Sequence, residues 1–387
     1  PRYTPSMSGP FISKIDTLRP AFGFDDISLA PGTDTIDPAD VDLTQEFCGI
    51  PLTEPIIASA MDAVVSPTTA GVLRGLGSLA FINLEGLWFR YEDPAAQYAT
   101  IISATADKVQ TTFADLYAAP IRPELIARRI AEMRAAGAPV AIAATPQAVG
   151  KYADALIGAD VDLLLIQSQV PSARHIASGY APLELSAFVK RAGMPVAIGN
   201  TTNAEAAYAL MEQGAAAVFV GVGPGNACTT REVLGIGVPQ VTAVSDVAAA
   251  RDAFFAATGR YVPVVADGGI RKGGEIAKAL AVGADAVMIG SPLARGSEAP
   301  GGGFNWGMAA PSPTLPRGTR INVGTVGSMK QILHGPSHVT DGSENLAGAV
   351  RQSAAALGVQ NVKGFRNVEV IYAPAAATEG KSWQRGR

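Results

Sequence analysis

The chain has 387 residues and a mass of 39.7 kDa, enough for one large domain or two ordinary ones. Hydrophobic residues make up 48% and charged residues 17%, the mix of a core-rich globular protein. A net charge of −4, from 30 basic and 34 acidic residues, argues against non-specific nucleic-acid binding, which needs a basic surface.

From residue 55 onwards the chain alternates apolar runs with helical patterns. The runs are PIIASA (55–60), SLAFINL (78–84), PVAIAAT (139–145), VDLLLIQ (161–167), PVAIGN (195–200), AAVFVGVG (216–223), VPVVADG (262–268) and DAVMIG (285–290). Short runs rich in Val, Ile, Leu and Ala suit strands buried on both faces, as in a parallel sheet. Between them, RPELIARRIAEMRAAG carries apolar residues at helical spacing and ends at Gly137, and NAEAAYALMEQGA starts on Asn203 and ends at Gly214. SDVAAARDAFFAATG starts on Ser245 and stops at Gly259, and GGEIAKALAVGA stops at Gly283. A cap before and a glycine after are helix punctuation. Eight strands with intervening helices point to an α/β fold, a (β/α)₈ barrel, rather than an open doubly wound sheet. The glycine fingerprint that a dinucleotide-binding open sheet needs after its first strand does not follow PIIASA.

Three segments fall outside the repeat: a lead-in over 1–54, an insertion over 85–121 after the second strand, and a Gly-, Pro- and Ser-rich stretch over 291–345 after the eighth. The last reads as a lid or binding loop, with a plain linker as the alternative. Phe304, Trp306, Met308, Ile321 and Met329 favour the lid. The tail from about 374 reads as a loose end or a subunit contact. No run of about 18 apolar residues suggests a membrane span, and the first residues lack the apolar stretch of a signal peptide. The two cysteines, Cys48 and Cys228, cannot build a disulfide framework, so a reducing cytoplasm is expected.

Barrel enzymes place their chemistry at the C-terminal ends of the strands. After the sixth strand comes Gly221-Val222-Gly223-Pro224-Gly225-Asn226-Ala227-Cys228-Thr229-Thr230-Arg231. A lone cysteine is usually packing, but this one follows a glycine turn beside two hydroxyls and an arginine. Such a setting favours a thiolate nucleophile. Cys48, outside the repeat, reads as packing. After strands seven and eight come Asp267-Gly268-Gly269 and Gly290-Ser291, a pattern that can cradle a phosphate through backbone N–H groups; the glycines otherwise serve only tight turns. Asp267 would then accept hydrogen bonds from sugar hydroxyls. His175, His334 and His338 have no metal-ligand spacing, so zinc is not expected.

These residues resemble those of the IMP dehydrogenase/GMP reductase family. The likeness rests on GVGPGNACTTREVLGIGVPQ around Cys228, FDDISLAP (24–31), IIASAMDAVVSP (56–67), VAIGN (196–200), VVADGGIRKGGEIAKALAVGADAVMIGSPLA (264–294) and SEAPG (297–301). It runs in order through most of residues 20–365. The tandem CBS domains that typical members insert after the second strand are missing, so the chain resembles the short branch found in bacteria such as cyanobacteria and actinobacteria. One barrel domain over 1–387, with its core at about 55–365, is expected.

By position, the resemblance makes Cys228 the nucleophile that attacks carbon 2 of a purine nucleotide. Thr230, Glu298 and Arg320 are the further catalytic candidates. Ser59, Met61, Asn226, Asp267, Gly269, Gly290, Ser291, Gly307, Met308 and Ala309 would hold the nucleotide: Asp267 the ribose, Gly269, Gly290 and Ser291 the phosphate, and Gly307 to Ala309 the base. Gln167, Asn200 and Gly221 would lie near the nicotinamide of NAD, or of NADP in a reductase. The carbonyls of Gly223, Gly225 and Cys228 would form half of a K⁺ site.

Several positions depart from the family. Asn226 replaces a phosphate-binding serine, Gln167 replaces the aspartate of the nicotinamide ribose, and Arg317-Gly318 stands where the base-binding Glu-Gly pair belongs. The mobile flap with an Arg-Tyr pair is absent; Arg90-Tyr91 and Arg260-Tyr261 lie elsewhere in the chain. Loss of that water-activating flap leans towards GMP reductase, whereas Glu298-Ala299-Pro300-Gly301 leans towards IMP dehydrogenase, which we expect, with Arg317 or Arg320 in place of the flap. A non-catalytic purine-nucleotide sensor is the third reading. The resemblance further implies a homotetramer or homo-octamer, a purine nucleotide as the partner, and neither nucleic acid nor membrane.

Overall fold

Eight short strands rich in β-branched and small residues close into one parallel barrel in the computed structural model, which describes residues 14–168, 172–308 and 318–374. Before the barrel come β1 (Ile27–Ala30) and the hairpin β2 (Gln45–Phe47) and β3 (Ile50–Leu52). The barrel strands are β4 (Ile56–Ala58), β5 (Leu79–Asn83), β6 (Ala141–Ala144), β7 (Leu163–Gln167), β8 (Val196–Thr201), β9 (Val218–Val220), β10 (Val264–Asp267) and β11 (Ala286–Ile289), and β11 pairs with β4 to close the ring. Each lies within one of the eight apolar runs, except that β8 extends one residue further, to Thr201. A second hairpin, β12 (Phe304–Trp306) with β13 (Arg320–Asn322), follows, and β14 (Glu369–Tyr372) pairs antiparallel with β1, so the two ends of the described chain meet outside the barrel.

Alternation along the strands explains why both faces are apolar. Leu163 and Leu165 point into the barrel with Ile57, Phe81, Phe219 and Met288, while Leu164 and Ile166 point outward to the helices. The interior is therefore a packed core. Phe219 meets Phe81 edge-on at 5.9 Å and Phe47 at 6.4 Å. Phe47, Ile50 and Leu52 of the β2–β3 hairpin plug the N-terminal end of the ring.

The helices are α1 (Pro67–Gly75), α2 (Ala95–Ser103), α3 (Val109–Ala118), α4 (Pro123–Ala135), α5 (Pro146–Ile157), α6 (Leu185–Ala192), α7 (Ala204–Glu212), α8 (Thr230–Leu234), α9 (Gln240–Thr258), α10 (Gly273–Ala281), α11 (Ser291–Ala294), α12 (Met329–His334) and α13 (Leu346–Ala356). Asn203 caps α7 through its side chain. The expected start at Ser245 is corrected: α9 begins at Gln240, because Val241, Val244, Val247, Ala248 and Arg251 bury one continuous face, and tertiary packing overrides the local cap signal. The insertion folds into α2, α3 and a turn at Leu87–Phe89, with its own core of Leu87, Tyr98, Ile101, Phe113 and Tyr117 around Trp306. Among the described residues no helix is long and apolar enough to cross a membrane.

The lid expectation also changes. Trp306 and Met329 are fully buried, so the stretches around these two residues pack into the molecule, while residues 336–341 of the same segment are exposed. Residues 309–317, including Ala309 and Arg317, and the tail beyond 374 lie outside the described residues.

Candidate active site

A cavity of about 1550 Å³ opens at the C-terminal end of the barrel and is lined by the loops that follow the strands. The loop after β9 carries Cys228 into it. The Cys228 N–H donates to Gly225 O at 3.1 Å, which closes the turn, and the thiol lies 3.2 Å from Thr230 Oγ1. Cys228 is half-buried and Thr230 buried. Arg231 lines the same cavity but donates to Val222 O and Val238 O, which braces the loop from behind. Burial lowers the pKa of its guanidinium, while the nearby Cys228 works in the opposite sense. Cys48 is different in kind. Burial, then the charge of Glu46, pushes its thiol up to about 12, and it donates to Ala216 O at the far end of the barrel.

Asp267 ends β10. Its Oδ2 accepts from Asn200 Nδ2 at 2.7 Å and from Gln167 Nε2 at 2.9 Å, and Gln167 Nε2 also donates to Asn200 Oδ1 at 2.7 Å. Burial pushes the Asp267 carboxyl up to about 6, against the two amide hydrogen bonds, which favour its charged form. Gly221 permits this assembly: with φ at +141°, a Cβ there would lie 2.2 Å from Asp267 O. Gln240, the buried first residue of α9, donates to Val220 O and Asp267 O and pins the same two strand ends. Sequence reasoning missed it, since a glutamine opening a helix carries no signal.

The phosphate candidates gather on the next side. Ser291 Oγ donates to Asn226 Oδ1 at 2.5 Å and accepts from Asn305 Nδ2 at 2.8 Å. Gly269 and Gly290 line the cavity beside them, as do Ser59 and Met61. Asn305 was not expected either; its only sequence cue is its place two residues before Gly307. Gly307 and Gly318 press together against the cysteine loop, where a Cβ would lie 2.8 Å and 2.6 Å from Ala227 O. Met308 and Gly223 also line the cavity, and so does Arg90, whose guanidinium donates to Glu85 O and Ala119 O.

Two expected residues are not brought into the cavity. Glu298 Oε2 accepts from Met329 N at 2.9 Å and from Ser297 Oγ at 3.1 Å, and the residue does not line the cavity. Arg320 sits on β13 with its guanidinium over the Phe304 ring at 4.6 Å, donating to Ile101 O, Ile102 O and Ala104 O at the end of α2. Its charge answers a helix C-terminus, so the structure holds Arg320 at α2 and does not bring it beside Cys228. Among the described residues no group of three or more His, Cys, Asp or Glu side chains could hold a metal ion.

Comparison with known proteins places the chain in a family. The profile of the IMP dehydrogenase / GMP reductase domain matches residues 21–308. An uncharacterized oxidoreductase of Mycobacterium leprae is 40% identical over 362 residues, covering 91% of this chain and 96% of that protein. The inosine-5′-monophosphate dehydrogenase of Haemophilus influenzae is 50% identical over a shorter stretch of 149 residues, 38% of this chain and 28% of its own. The crystal structure of an IMP dehydrogenase/GMP reductase-like protein from Corynebacterium glutamicum superimposes with a TM-score of 0.87 at 36% identity, covering 92% of this chain and 95% of that one. The matched profile spans the barrel strands and every loop that lines the cavity up to Met308, and this chain belongs to the IMP dehydrogenase/GMP reductase family of oxidoreductases.

Proposed function

We propose that the protein is an NAD-dependent IMP dehydrogenase, which oxidises IMP to XMP through a thioimidate on Cys228. The observation that carries this reading is the thiol of Cys228, 3.2 Å from Thr230 Oγ1, in one cavity with the Asp267 carboxylate and the hydrogen-bonded cluster of Ser291, Asn226 and Asn305. Cys228 attacks carbon 2 of the purine, and a hydride leaves that carbon. Water then adds to the thioimidate, the carbon–sulfur bond breaks, and XMP and the free thiol result. Thr230, whose Oγ1 lies 3.2 Å from the thiol, exchanges a proton with the attacking water in this reading. Asp267 orients the ribose, Ser59, Asn226, Gly269, Gly290 and Ser291 hold the phosphate end, and Met61, Gly307 and Met308 hold the base.

NAD supplies the hydride acceptor. The cavity fits it: at about 1550 Å³ it exceeds the roughly 300–1,000 Å³ of a usual small-molecule pocket, so a dinucleotide has room beside a mononucleotide. Asn200, Gln167 and Gly221 are the residues that would hold its nicotinamide half. The carbonyls of Gly223, Gly225 and Cys228 supply part of a K⁺ shell, and a homotetramer or homo-octamer in the cytoplasm is the working state.

A second reading, GMP reductase with NADPH, gains from one observation. Arg320 is turned away from the cavity, which removes one substitute for the water-activating flap.

Incubation of the purified protein with IMP and NAD⁺, and separately with GMP and NADPH, decides between them by nicotinamide absorbance. We expect NADH from IMP, at a rate that rises with K⁺ and not with Mg²⁺. Cys228→Ala lowers turnover on the order of 10⁴-fold or more while IMP still binds; Cys48→Ala changes neither. NADPH consumption with GMP and no NADH from IMP replaces the dehydrogenase with the reductase. Nucleotide binding without either reaction leaves the sensor.

A further inference from the structure

The insertion after β5 is structurally continuous with the wall of the cavity. Tyr117, on α3 of that insertion, donates to Asp62 Oδ2 at 2.7 Å and accepts from Trp306 Nε1 at 2.9 Å. The direction is fixed by chemistry: an indole nitrogen only donates, and an ionised carboxylate only accepts. The Tyr117 oxygen also lies 3.7 Å from Met308 Sδ, and Arg90 lies over its ring at 5.9 Å. Asp62 Oδ2 accepts a second hydrogen bond, from Leu87 N at 2.8 Å. Asp62, Tyr117 and Trp306 are all buried.

Both ends of this chain of bonds reach the base side of the cavity. Asp62 follows Met61, and Trp306 precedes Gly307 and Met308; Met61, Gly307 and Met308 all line the cavity. These two stretches are about 245 residues apart in sequence, and Tyr117 bridges them through one hydroxyl. Hydrogen bonds in such a buried series polarise one another, and an isolated buried donor is costly. The stretch 306–308 therefore has one favoured placement relative to Met61 while the chain of bonds is intact.

We propose that Tyr117 is a positioning residue for the purine, holding the 306–308 wall in register with Met61 through Trp306 and Asp62. This rests on the nucleotide reading given above. It assigns the insertion a task in the site: in this chain the segment after β5 supplies a strut for the base pocket.

The test compares two buried hydroxyls. Tyr117→Phe deletes the strut and keeps the ring. Tyr98→Phe deletes an equally buried hydroxyl that donates to the Asp62 backbone carbonyl at 2.9 Å and makes no bond to residues 306–308. Calorimetric titration with IMP and with GMP measures affinity, and steady-state assays separate KM from kcat. Tyr117→Phe should weaken mononucleotide affinity about five- to tenfold, raise the mononucleotide KM equally, and leave kcat and the dinucleotide KM within about twofold. Tyr98→Phe should stay within about twofold throughout. Trp306→Phe removes the donor at the other end of the same bond and, with the same expected loss of mononucleotide affinity, carries the test by itself if Tyr117→Phe does not fold; where both fold, the double variant should weaken binding no further than the larger single change. Equal effects at Tyr98 and Tyr117, or unchanged affinity in Tyr117→Phe, overturn the positioning role alone. A wild-type protein that binds neither IMP nor GMP overturns the nucleotide reading and this role with it.

Discussion

The floor and the mouth of the barrel each hold an enclosed aspartate, and the two are served in opposite ways. At the floor, Asp285 Oδ2 accepts from Arg251 Nη1 at 3.1 Å and from Val264 N at 2.8 Å, while Oδ1 accepts from Tyr261 Oη at 2.5 Å and from Arg366. Two guanidinium groups neutralise it. Burial, followed by the Asp285 charge, pushes the Tyr261 hydroxyl up to about 12, which keeps it a donor. At the mouth, Asp267 receives neutral amides from Gln167 and Asn200, and burial pushes its carboxyl up to about 6. Charge that serves the fold is compensated within the protein. The charge at the mouth has only neutral partners in the protein, which suits the ligand-binding role proposed for Asp267.

The largest expected effect breaks the floor. Asp285→Ala leaves the buried Arg251 with only the exposed Asp252 as an acid partner, and removing one partner of a buried pair costs about 3–5 kcal/mol. Urea unfolding should show that loss, with the nucleotide KM of the remaining folded enzyme unchanged. A loss under about 1 kcal/mol would mean that the floor cluster does not stabilise the fold.

The next effect has the opposite sign. The folded-state pKa of Asp267 lies above the usual carboxyl value of about 4, so the folded protein keeps this proton longer than the unfolded chain does. Stability then falls as pH rises from about 4 to about 6 and stays lower above that. The shift is worth on the order of 2 kcal/mol, discounted for water in the cavity. Asp267→Asn removes the penalty. The variant should be more stable than wild type by about that amount at pH 8, should match it near pH 4, and should bind mononucleotide at least about tenfold more weakly. A variant destabilised at pH 8 would place Asp267 with the structural carboxylates.

How much of this was legible in the sequence follows from the range of each interaction. The eight strands were legible because burial on both faces leaves runs such as LLLIQ and VVAD with no polar interruption. The cysteine loop was legible because three glycines crowd one turn beside Cys228. The struts were not: Asp62 meets Tyr117 from 55 residues away and Tyr117 meets Trp306 from 189, and no periodicity encodes such pairs. Gln240 and Asn305 are ordinary polar residues until the fold points them at strand ends. The placement of Glu298 and Arg320 was hidden for a related reason. Position along the chain does not reveal that the β12–β13 hairpin lays Arg320 against α2.

Arg320 gives the smallest and last effect. Arg320 donates to three carbonyls at the end of α2 and lies over Phe304. The last carbonyls of a helix have no partner within it, and a cation there also meets the negative end of the helix dipole. Arg320→Ala should therefore cost about 1 kcal/mol of stability. Arg320→Lys should recover only part of this, since an ammonium on a flexible stem cannot match the guanidinium fork or its stacking. Pre-steady-state traces with IMP and NAD⁺ should be unaltered, because the group lies outside the cavity. The contrary result is distinct: a burst of NADH followed by a slow steady state, at unchanged stability. It would mean that hydrolysis of the thioimidate depends on Arg320, and that the hairpin carries it from α2 to the cavity during turnover.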